Sequence, residues 1–350
     1  MSSTRLHWGK SYSHLPRLNL NQFQKDSWNT FLSQGLPQAL SEINPVEDFT
    51  GKNWHLELFH PSVEKPQITP EYALRKGLTY SSAVRVQAKL LNKQTQKETK
   101  GEIFLGDLPS MTDRGTYIIN GVERVVINQL IRSPGTYFSS ELDTASGRIL
   151  HYGEIRPIRG TWLEFELSRG DVISVRIDRR RKFPVTTLLR AMGIGTDEQI
   201  KSLFAEVDKN PDHQYIDATM GKDSTKTTEA ALIEIFKKLH PGEPIVLENS
   251  QRMMFDLFFN PRRYDMGEVG RYKMNKRLNI SAEATVLTKD DLVATISYII
   301  GLQNGAGYID DIDNLGNRRL RSVGEILAAT AFRDGLLRLE RVIKEKMSLV

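Results

Sequence analysis

The sequence contains no cysteine. That excludes disulfides, thiolate metal sites and cysteine nucleophiles, and it accords with a reducing cytoplasm. No stretch approaches roughly 18 uninterrupted apolar residues, so no membrane span is expected. The N-terminal stretch MSSTRLHWGKSYSHLP lacks the apolar h-region of a signal peptide. Motifs that carry common chemistries are missing too. There is no Walker-type phosphate loop, no G-x-G-x-x-G after a strand, no H-E-x-x-H and no G-x-S-x-G. The seven histidines are dispersed. His55 and His60 lie in or beside one alternating strand, where a spacing of five puts them on opposite faces, so structural or surface roles are expected of both. No internal repeat and no low-complexity tract is present.

What is there is the composition of a globular protein with a core: 350 residues, 39% hydrophobic and 26% charged. The length admits one large domain or two to three ordinary ones. The net charge of +5 is a mild basic excess, compatible with a nucleic-acid partner without requiring one. The chain starts at Met1, whereas its end, KEKMSLV, stops inside a helical pattern. A fragment of something longer is expected.

The patterning predicts a helix over Asn19 to Gly35, capped by Asn19, with Phe23, Trp28, Phe31 and Leu32 as apolar positions and Gly35 as terminator. Trp54, Leu56 and Leu58 alternate with polar residues, as do Val84, Val86, Ala88 and Leu90, which predicts a sheet with one wet face. Within GTYIINGVERVVI (115–127), Asn120-Gly121 stands between two β-rich runs and marks a hairpin with a type I′ turn. ILHYGEIRPI, TWLEFEL and VISVRID read as further strands, followed by helices. Capping boxes begin at Thr196, ahead of Ile200, Leu203 and Phe204, and at Thr288, ahead of Leu292, Ile296 and Ile299. Residues 205–228 read as polar and partly mobile. Helical patterns over 229–239 and 247–259 flank the rigid turn HPGEP (240–244). Ser322 is expected to cap a last helical region to about Met347, with Leu336, Leu339, Ile343 and Met347 on one face. The fold class is therefore α+β: sheet-rich to about 130, sheet then helices to about 305, helices to the end.

Three features carry chemistry. In RIDRRRK (176–182), strand alternation would put Arg176, Asp178 and Arg180 on one face and Arg179 and Arg181 on the other. A charge run is usually a solvated strand end, but three consecutive arginines repel one another, and phosphate relieves that repulsion. RR at 262–263 and RYKMNKR (271–277) extend the theme. Trp162 is either core, the commoner role for a strand tryptophan, or a stacking platform for an unpaired base. In DDIDNLGNRRLRS (310–322), Asp310, Asp311 and Asp313 could hold Mg²⁺, but Arg318, Arg319 and Arg321 compete for the same carboxylates. The alternatives are an internal Asp–Arg network around a turn, or a carboxylate that reads a base edge while arginines hold phosphates.

Longer strings carry a resemblance. PSMTDRGTYIINGVERVVINQLIRSPG (109–135), RGTWLEFEL…VRIDRRRKFPVTTLLRAMG (159–193), PGEP…LFFNPRRYDMGEVGRYKMNKRL (241–278) and DDIDNLGNRRLRSVGE (310–325), with PVEDFTG (45–51), resemble the N-terminal part of the β subunit of bacterial DNA-directed RNA polymerase. The resemblance implies two domains, with a lobe (β2, 136–305) inserted into a discontinuous protrusion (β1, 1–135 and 306–350), together one jaw of the DNA cleft. It implies a cytoplasmic, nucleoid-associated nucleotidyltransferase complex with DNA, the β′, α and ω subunits and sigma factor as partners, and no membrane. No catalytic residue and no cofactor is implied in this stretch, because the family's Mg²⁺ aspartates belong to the other large subunit; the chain alone is expected to be inactive.

The resemblance also assigns residues. Arg132, Trp162, Asp178, Ile312, Asp313 and Arg318 would line a pocket for non-template-strand bases, Trp162 stacking on one base and Asp313 accepting hydrogens from a guanine's Watson–Crick edge. Arg179, Arg180, Arg181 and Lys182 are the expected backbone contacts. His240, Pro241, Gly242, Glu243 and Pro244 resemble a tip that gates DNA entry. Glu98, Thr99 and Lys100, in KETKGEIF (97–104), resemble an exposed edge strand to which regulators and repair-coupling factors add their own sheets. Two other readings stand beside this one: an engineered regulator-binding scaffold in which DNA contact is incidental, and a metal-dependent nuclease using Asp310, Asp311 and Asp313.

Overall fold

The alternation between Trp54 and Leu90 does build a sheet, and the capped apolar repeats do build helices. A computed structural model of the chain describes residues 19–48 and 50–349. The N-terminal stretch read for a signal peptide lies outside the described residues. The fold is mixed, and it divides into two compact units: residues 1–129 with 320–350, and residues 130–319. The resemblance sets its domain boundaries at 135/136 and 305/306.

Unit 1 opens with α1 (Gln22–Thr30), a π-helical turn over Phe31–Gly35 and α2 (Leu36–Ile43). Gly35 is not a terminator: its φ of −64° and ψ of −41° are helical. The π turn absorbs one extra residue ahead of Pro37, whose ring and missing N–H do not fit a regular helix interior. Asn21, rather than Asn19, stands at the N-cap. An antiparallel sheet follows, in the order β1 (Val46–Glu47), β2 (Trp54–Val63), β3 (Ser81–Asn92), β4 (Lys97–Pro109). A bulge between Phe59 and Ser62 interrupts β2 beside His60, whose φ is +48°, so the alternation does not run unbroken past His55. α3 (Pro70–Lys76) lies between β2 and β3.

The Asn-Gly hairpin forms as read: β5 (Tyr117–Ile119) pairs with β6 (Val122–Arg124), and Asn120 and Gly121 have φ of +51° and +74°. Gly121 is required twice over, since a Cβ there would also sit 2.6 Å from the Gly77 Cα.

The division between units falls within β7 (Gln129–Arg132) and β13 (Arg318–Arg321), which pair with each other. Unit 2 contains an antiparallel sheet in the order β12 (Phe183–Pro184), β11 (Ile173–Ile177), β10 (Leu163–Leu167), β9 (Ile149–Arg156), β8 (Gly135–Leu142). Alternation, strict in β10 and β11, divides its faces. Phe138, Ile155, Leu163, Phe165, Val175 and Ile177 are buried, while Glu154, Glu164, Glu166 and Arg176 line the other, wetter face. Helices α4 (Val185–Ala191), α5 (Asp197–Phe204), α6 (Tyr215–Lys222), α7 (Thr228–Leu239), α8 (Leu247–Phe258), α9 (Gly267–Leu278) and α10 (Lys289–Gln303) complete this unit, and its core draws on both sheet and helices. Both capping boxes close as read, Thr196 with Gln199 and Thr288 with Asp291. Leu203, however, is exposed.

Residues 205–228, read as polar and partly mobile, hold α6, with Tyr215, Ile216, Thr219 and Met220 buried. α6 ends at Asp223, whose carboxylate accepts from Thr186, Thr187 and Thr225 and pairs with fully buried Arg190 at 3.3 Å. A buried charge must be paired to be tolerated, and this polar cluster meets that need.

The chain returns to unit 1 as α11 (Val323–Ile326), a π-helical Leu327–Phe332 and α12 (Arg333–Leu349). Ser322 makes no side-chain cap bond. Its hydroxyl pairs instead with Ser27 Oγ at 2.6 Å, and Ser27 Oγ accepts the Gly324 N–H at 2.9 Å, so the cap comes from α1. Leu336, Leu339, Ile343 and Met347 share the predicted face and pack on Leu40, Ile43 and Leu56. No helix among the described residues is long and apolar enough to cross a membrane.

Candidate nucleic-acid interface

All six residues of the expected base pocket belong to unit 2. β11 ends at Ile177 instead of running on through the arginines. Asp178 and Arg179 have φ of +47° and +58°, and the Arg180 N–H donates to the Ile177 carbonyl at 3.0 Å, which makes a type I′ turn. The expected two-sided alternation of RIDRRRK is therefore absent beyond Ile177. The turn instead brings Asp178 back against Trp162. The Trp162 N–H donates to Asp178 Oδ1 at 2.8 Å, and the Asp178 N–H donates to the Trp162 carbonyl at 3.0 Å. Trp162 is thus clamped through its backbone, and its half-buried indole is not core.

Around that indole stand two arginines, the Arg156 guanidinium 4.1 Å and the Arg179 guanidinium 5.5 Å from the ring centroid. Glu154 organises the Arg156 side by taking Arg156 on one oxygen and Arg132 on the other. Sequence reasoning missed Glu154 and Arg156. The available signal was their i, i+2 spacing in GEIR, which puts both on the wet face of β9.

The second part of the site is the stretch 308–318. The Ser133 N–H, next to Arg132, donates to the Asn317 carbonyl at 2.9 Å, which ties this stretch to the start of β8. Asp313 pairs with Arg318 while its side chain stays 84% exposed; Ile312 is half-buried. A carboxylate that gives one oxygen to an arginine retains acceptor capacity for a second planar donor. The three aspartates do not converge. Asp310 accepts the Phe138 N–H at 2.8 Å and pairs with Arg277, Asp311 accepts the Asp313 N–H at 2.9 Å, and Asp313 faces solvent. Among the described residues no group of three acidic or imidazole side chains is placed to hold a metal, and the geometry gives the nuclease reading no support.

The basic residues separate by burial. Arg179, Arg180, Arg181 and Lys182 are all exposed, Arg179 lying 3.5 Å from Glu164 and Lys182 3.5 Å from Glu166. Arg180 donates to the Leu239 carbonyl. In RYKMNKR, Arg271 is buried against Asp291 at 2.6 Å and Arg277 against Asp310 at 3.0 Å, so these two hold the fold and cannot reach phosphate.

The remaining expected sites lie apart from this one. Pro241, Gly242, Glu243 and Pro244 form an exposed turn after α7, with half-buried His240 3.2 Å from Glu243. In unit 1, Glu98, Thr99 and Lys100 lie on β4, the end strand of its sheet, exposed from Lys97 to Phe104, with Glu98 paired to Lys89 at 2.6 Å.

Residues 132–321 match the family described as RNA polymerase Rpb2, domain 2, more than half of the chain and close to the extent of unit 2. The chain belongs to that family. It is similar over 96% of its length, at 44% identity, to the DNA-directed RNA polymerase subunit beta of Chloroflexus aggregans. Over 97% it is 44% identical to the subunit of the same name from Dehalococcoides mccartyi. The chain spans 30% and 28% of the lengths of those two relatives.

Proposed function

We propose that the chain works in transcription as the N-terminal part of a DNA-directed RNA polymerase β subunit, one jaw of a DNA cleft assembled with β′, α, ω and sigma. In this reading residues 1–135 with 306–350 are the protrusion, residues 136–305 the lobe, and the role is binding rather than bond-making. Unpaired non-template bases enter beside Trp162 and stack on it. Asp313 accepts from the two neighbouring donors of a guanine's Watson–Crick edge. Arg179, Arg180, Arg181 and Lys182 address phosphates. His240–Pro244 lie at the gate, and the backbone of Glu98–Lys100 receives a partner's strand.

The observation that carries the reading is Asp313. It is a carboxylate oriented by Arg318 yet open to solvent, in a stretch tied beside Arg132, which shares Glu154 with the arginine against Trp162. An Asp–Arg pair made only for stability and this exposed contributes about 0–1 kcal/mol, too little to account for so constrained a loop.

The test is fluorescence anisotropy of the purified chain with single-stranded oligonucleotides that differ in one base, guanine or adenine. A two-point carboxylate contact discriminates by roughly 1–3 kcal/mol. Asp313→Ala is expected to remove the guanine preference and leave binding to the guanine-free strand unchanged. Equal affinity for all bases in both proteins refutes the assignment.

A further inference from the structure

The loop that carries Ile312 and Asp313 has little apolar packing of its own, for Tyr308, Ile309 and Leu315 are all exposed. Beside the Ser133–Asn317 bond and the Tyr298 hydroxyl of α10, which donates to the Tyr308 carbonyl and accepts the Tyr308 N–H at 3.2 Å each, two anchors come from α9. Arg277, in the last turn of that helix, has a side chain only 7% exposed. One of its terminal nitrogens donates to the Tyr308 carbonyl at 2.6 Å and to Asp310 Oδ2 at 3.0 Å. Its guanidinium lies 3.6 Å from the Tyr308 ring centroid, with Tyr298 at 5.0 Å and Phe138 at 5.5 Å. Asp310 in turn grips β8 in both directions, its N–H donating to the Phe138 carbonyl at 2.7 Å and its carboxylate accepting the Phe138 N–H at 2.8 Å. One helical turn before Arg277, Lys273 Nζ donates to the Gly316 carbonyl at 2.8 Å.

We infer that Arg277 is a positioning residue for base recognition: it holds the near end of the 308–316 loop, Lys273 the far end, and Asp313 is presented between them. The inference rests on the base-reading role proposed above. It deepens that role by assigning the rigidity of the reader to a buried arginine that contacts no base. Arginine suits the task, because one flat cation must meet a carbonyl, a carboxylate and an aromatic face together. Lysine, a point charge, cannot offer that combination. An unanchored loop would have to be ordered on each binding event, and the cost would fall on specific recognition rather than on general phosphate attraction.

The experiment compares the chain with Arg277→Met, Arg277→Lys and Asp310→Asn. Four quantities are read: guanine preference by anisotropy, the affinity and the salt slope for a guanine-free strand, and hydrogen exchange across the chain. In Arg277→Met the guanine preference is expected to fall by about tenfold, to that of Asp313→Ala. Guanine-free binding and its salt slope stay at wild-type values, and faster exchange is confined to 308–317. Arg277→Lys, which keeps the charge, shows the same loss and reads the effect if the methionine variant folds poorly. Asp310→Asn repeats it, and the double variant is no worse than either single one, because both act through one contact. A wild-type preference that both Arg277 variants retain overturns this inference alone, as does exchange at 308–317 that neither changes. A wild-type chain with no preference, whose loop nonetheless loosens in Arg277→Met, overturns the base reading and the inference built on it.

Discussion

Replacing Trp162 with alanine separates stacking from charge. The substitution leaves the clamp intact, since both bonds between Trp162 and Asp178 use the Trp162 backbone. Glu154 still holds Arg132 and Arg156. The fold loses the Arg156– and Arg179–indole contacts, about 0.5–1 kcal/mol for each partly exposed cation–π pair, together with the contribution of a half-buried side chain. Binding of a single strand loses one base stack, roughly 1–3 kcal/mol, or about 5- to 150-fold in Kd. Because the indole meets no phosphate, the slope of log K against log salt stays unchanged. Arg179→Ala is the complement. The Arg179 side chain is 68% exposed, with Glu164 at 3.5 Å and the Trp162 ring centroid at 5.5 Å as its contacts, so its donors are available to a phosphate. Its removal is expected to reduce the slope by about 0.7, the value of one contact on a single strand. Anisotropy titrations between low and moderate salt measure both quantities on the same samples. The reasoning fails if Trp162→Ala binds within about twofold of wild type, or if the tryptophan rather than the arginine variant changes the slope.

Two further outcomes concern unit 1. Gly121→Ala forces a side chain to a φ of +74° and puts its Cβ 2.6 Å from the Gly77 Cα. A cost of about 2 kcal/mol or more follows, seen as a fall of roughly 4–8 °C in the melting temperature of that unit. His55 lies between Glu47 at 3.0 Å and Glu57 at 3.1 Å, with Lys93 also 2.8 Å from Glu47. The hydrogen bond to Glu47, then that to Glu57, raise its pKa above the usual imidazole value. A group whose pKa is higher when folded stabilises fully below the unfolded value of about 6.5 and loses that contribution as pH climbs through the folded one. The melting temperature should therefore decline as pH rises past neutrality, and His55→Gln should flatten that decline. A pH dependence that the variant leaves intact would remove His55 as its source.

The parts of the fold legible in the sequence are those in which local chemistry and tertiary packing agree. Asn120-Gly121 makes its turn because both φ values demand it, and the capping boxes at Thr196 and Thr288 need only four residues each. The failures occur where a distant residue decides. Gly35 continues a helix because a π turn accommodates Pro37. Ser322 gives up its cap to Ser27, nearly the whole chain away. Residues 205–228 look polar because most of their charged side chains lie at the surface, but Asp223 is buried against Arg190, and nothing local reveals that pairing. Of the site, Trp162, Asp313 and the arginines could be seen as residues with a chemistry. That Asp178 grips Trp162 could not, since a left-handed turn brings them together where a strand pattern would have continued.

The arginines make the same point in energetic terms. RYKMNKR and RIDRRRK look alike as strings, yet Arg271 and Arg277 are buried against Asp291 and Asp310, while Arg179 and Arg181 face solvent. The difference lies in their partners. A guanidinium leaves water only where a carboxylate and further acceptors meet it, because an unpaired buried ion costs several kcal/mol. Asp291 supplies a carboxylate at 2.6 Å and Val286 a carbonyl at 2.6 Å. Beyond Ile177 the left-handed turn points Arg179 at a single glutamate, 3.5 Å away, and leaves its remaining donors to solvent. An arginine with donors to spare is one that can still take a phosphate. Charge runs therefore acquire their meaning from the acceptors the fold brings to them, and in this chain those acceptors come from other elements.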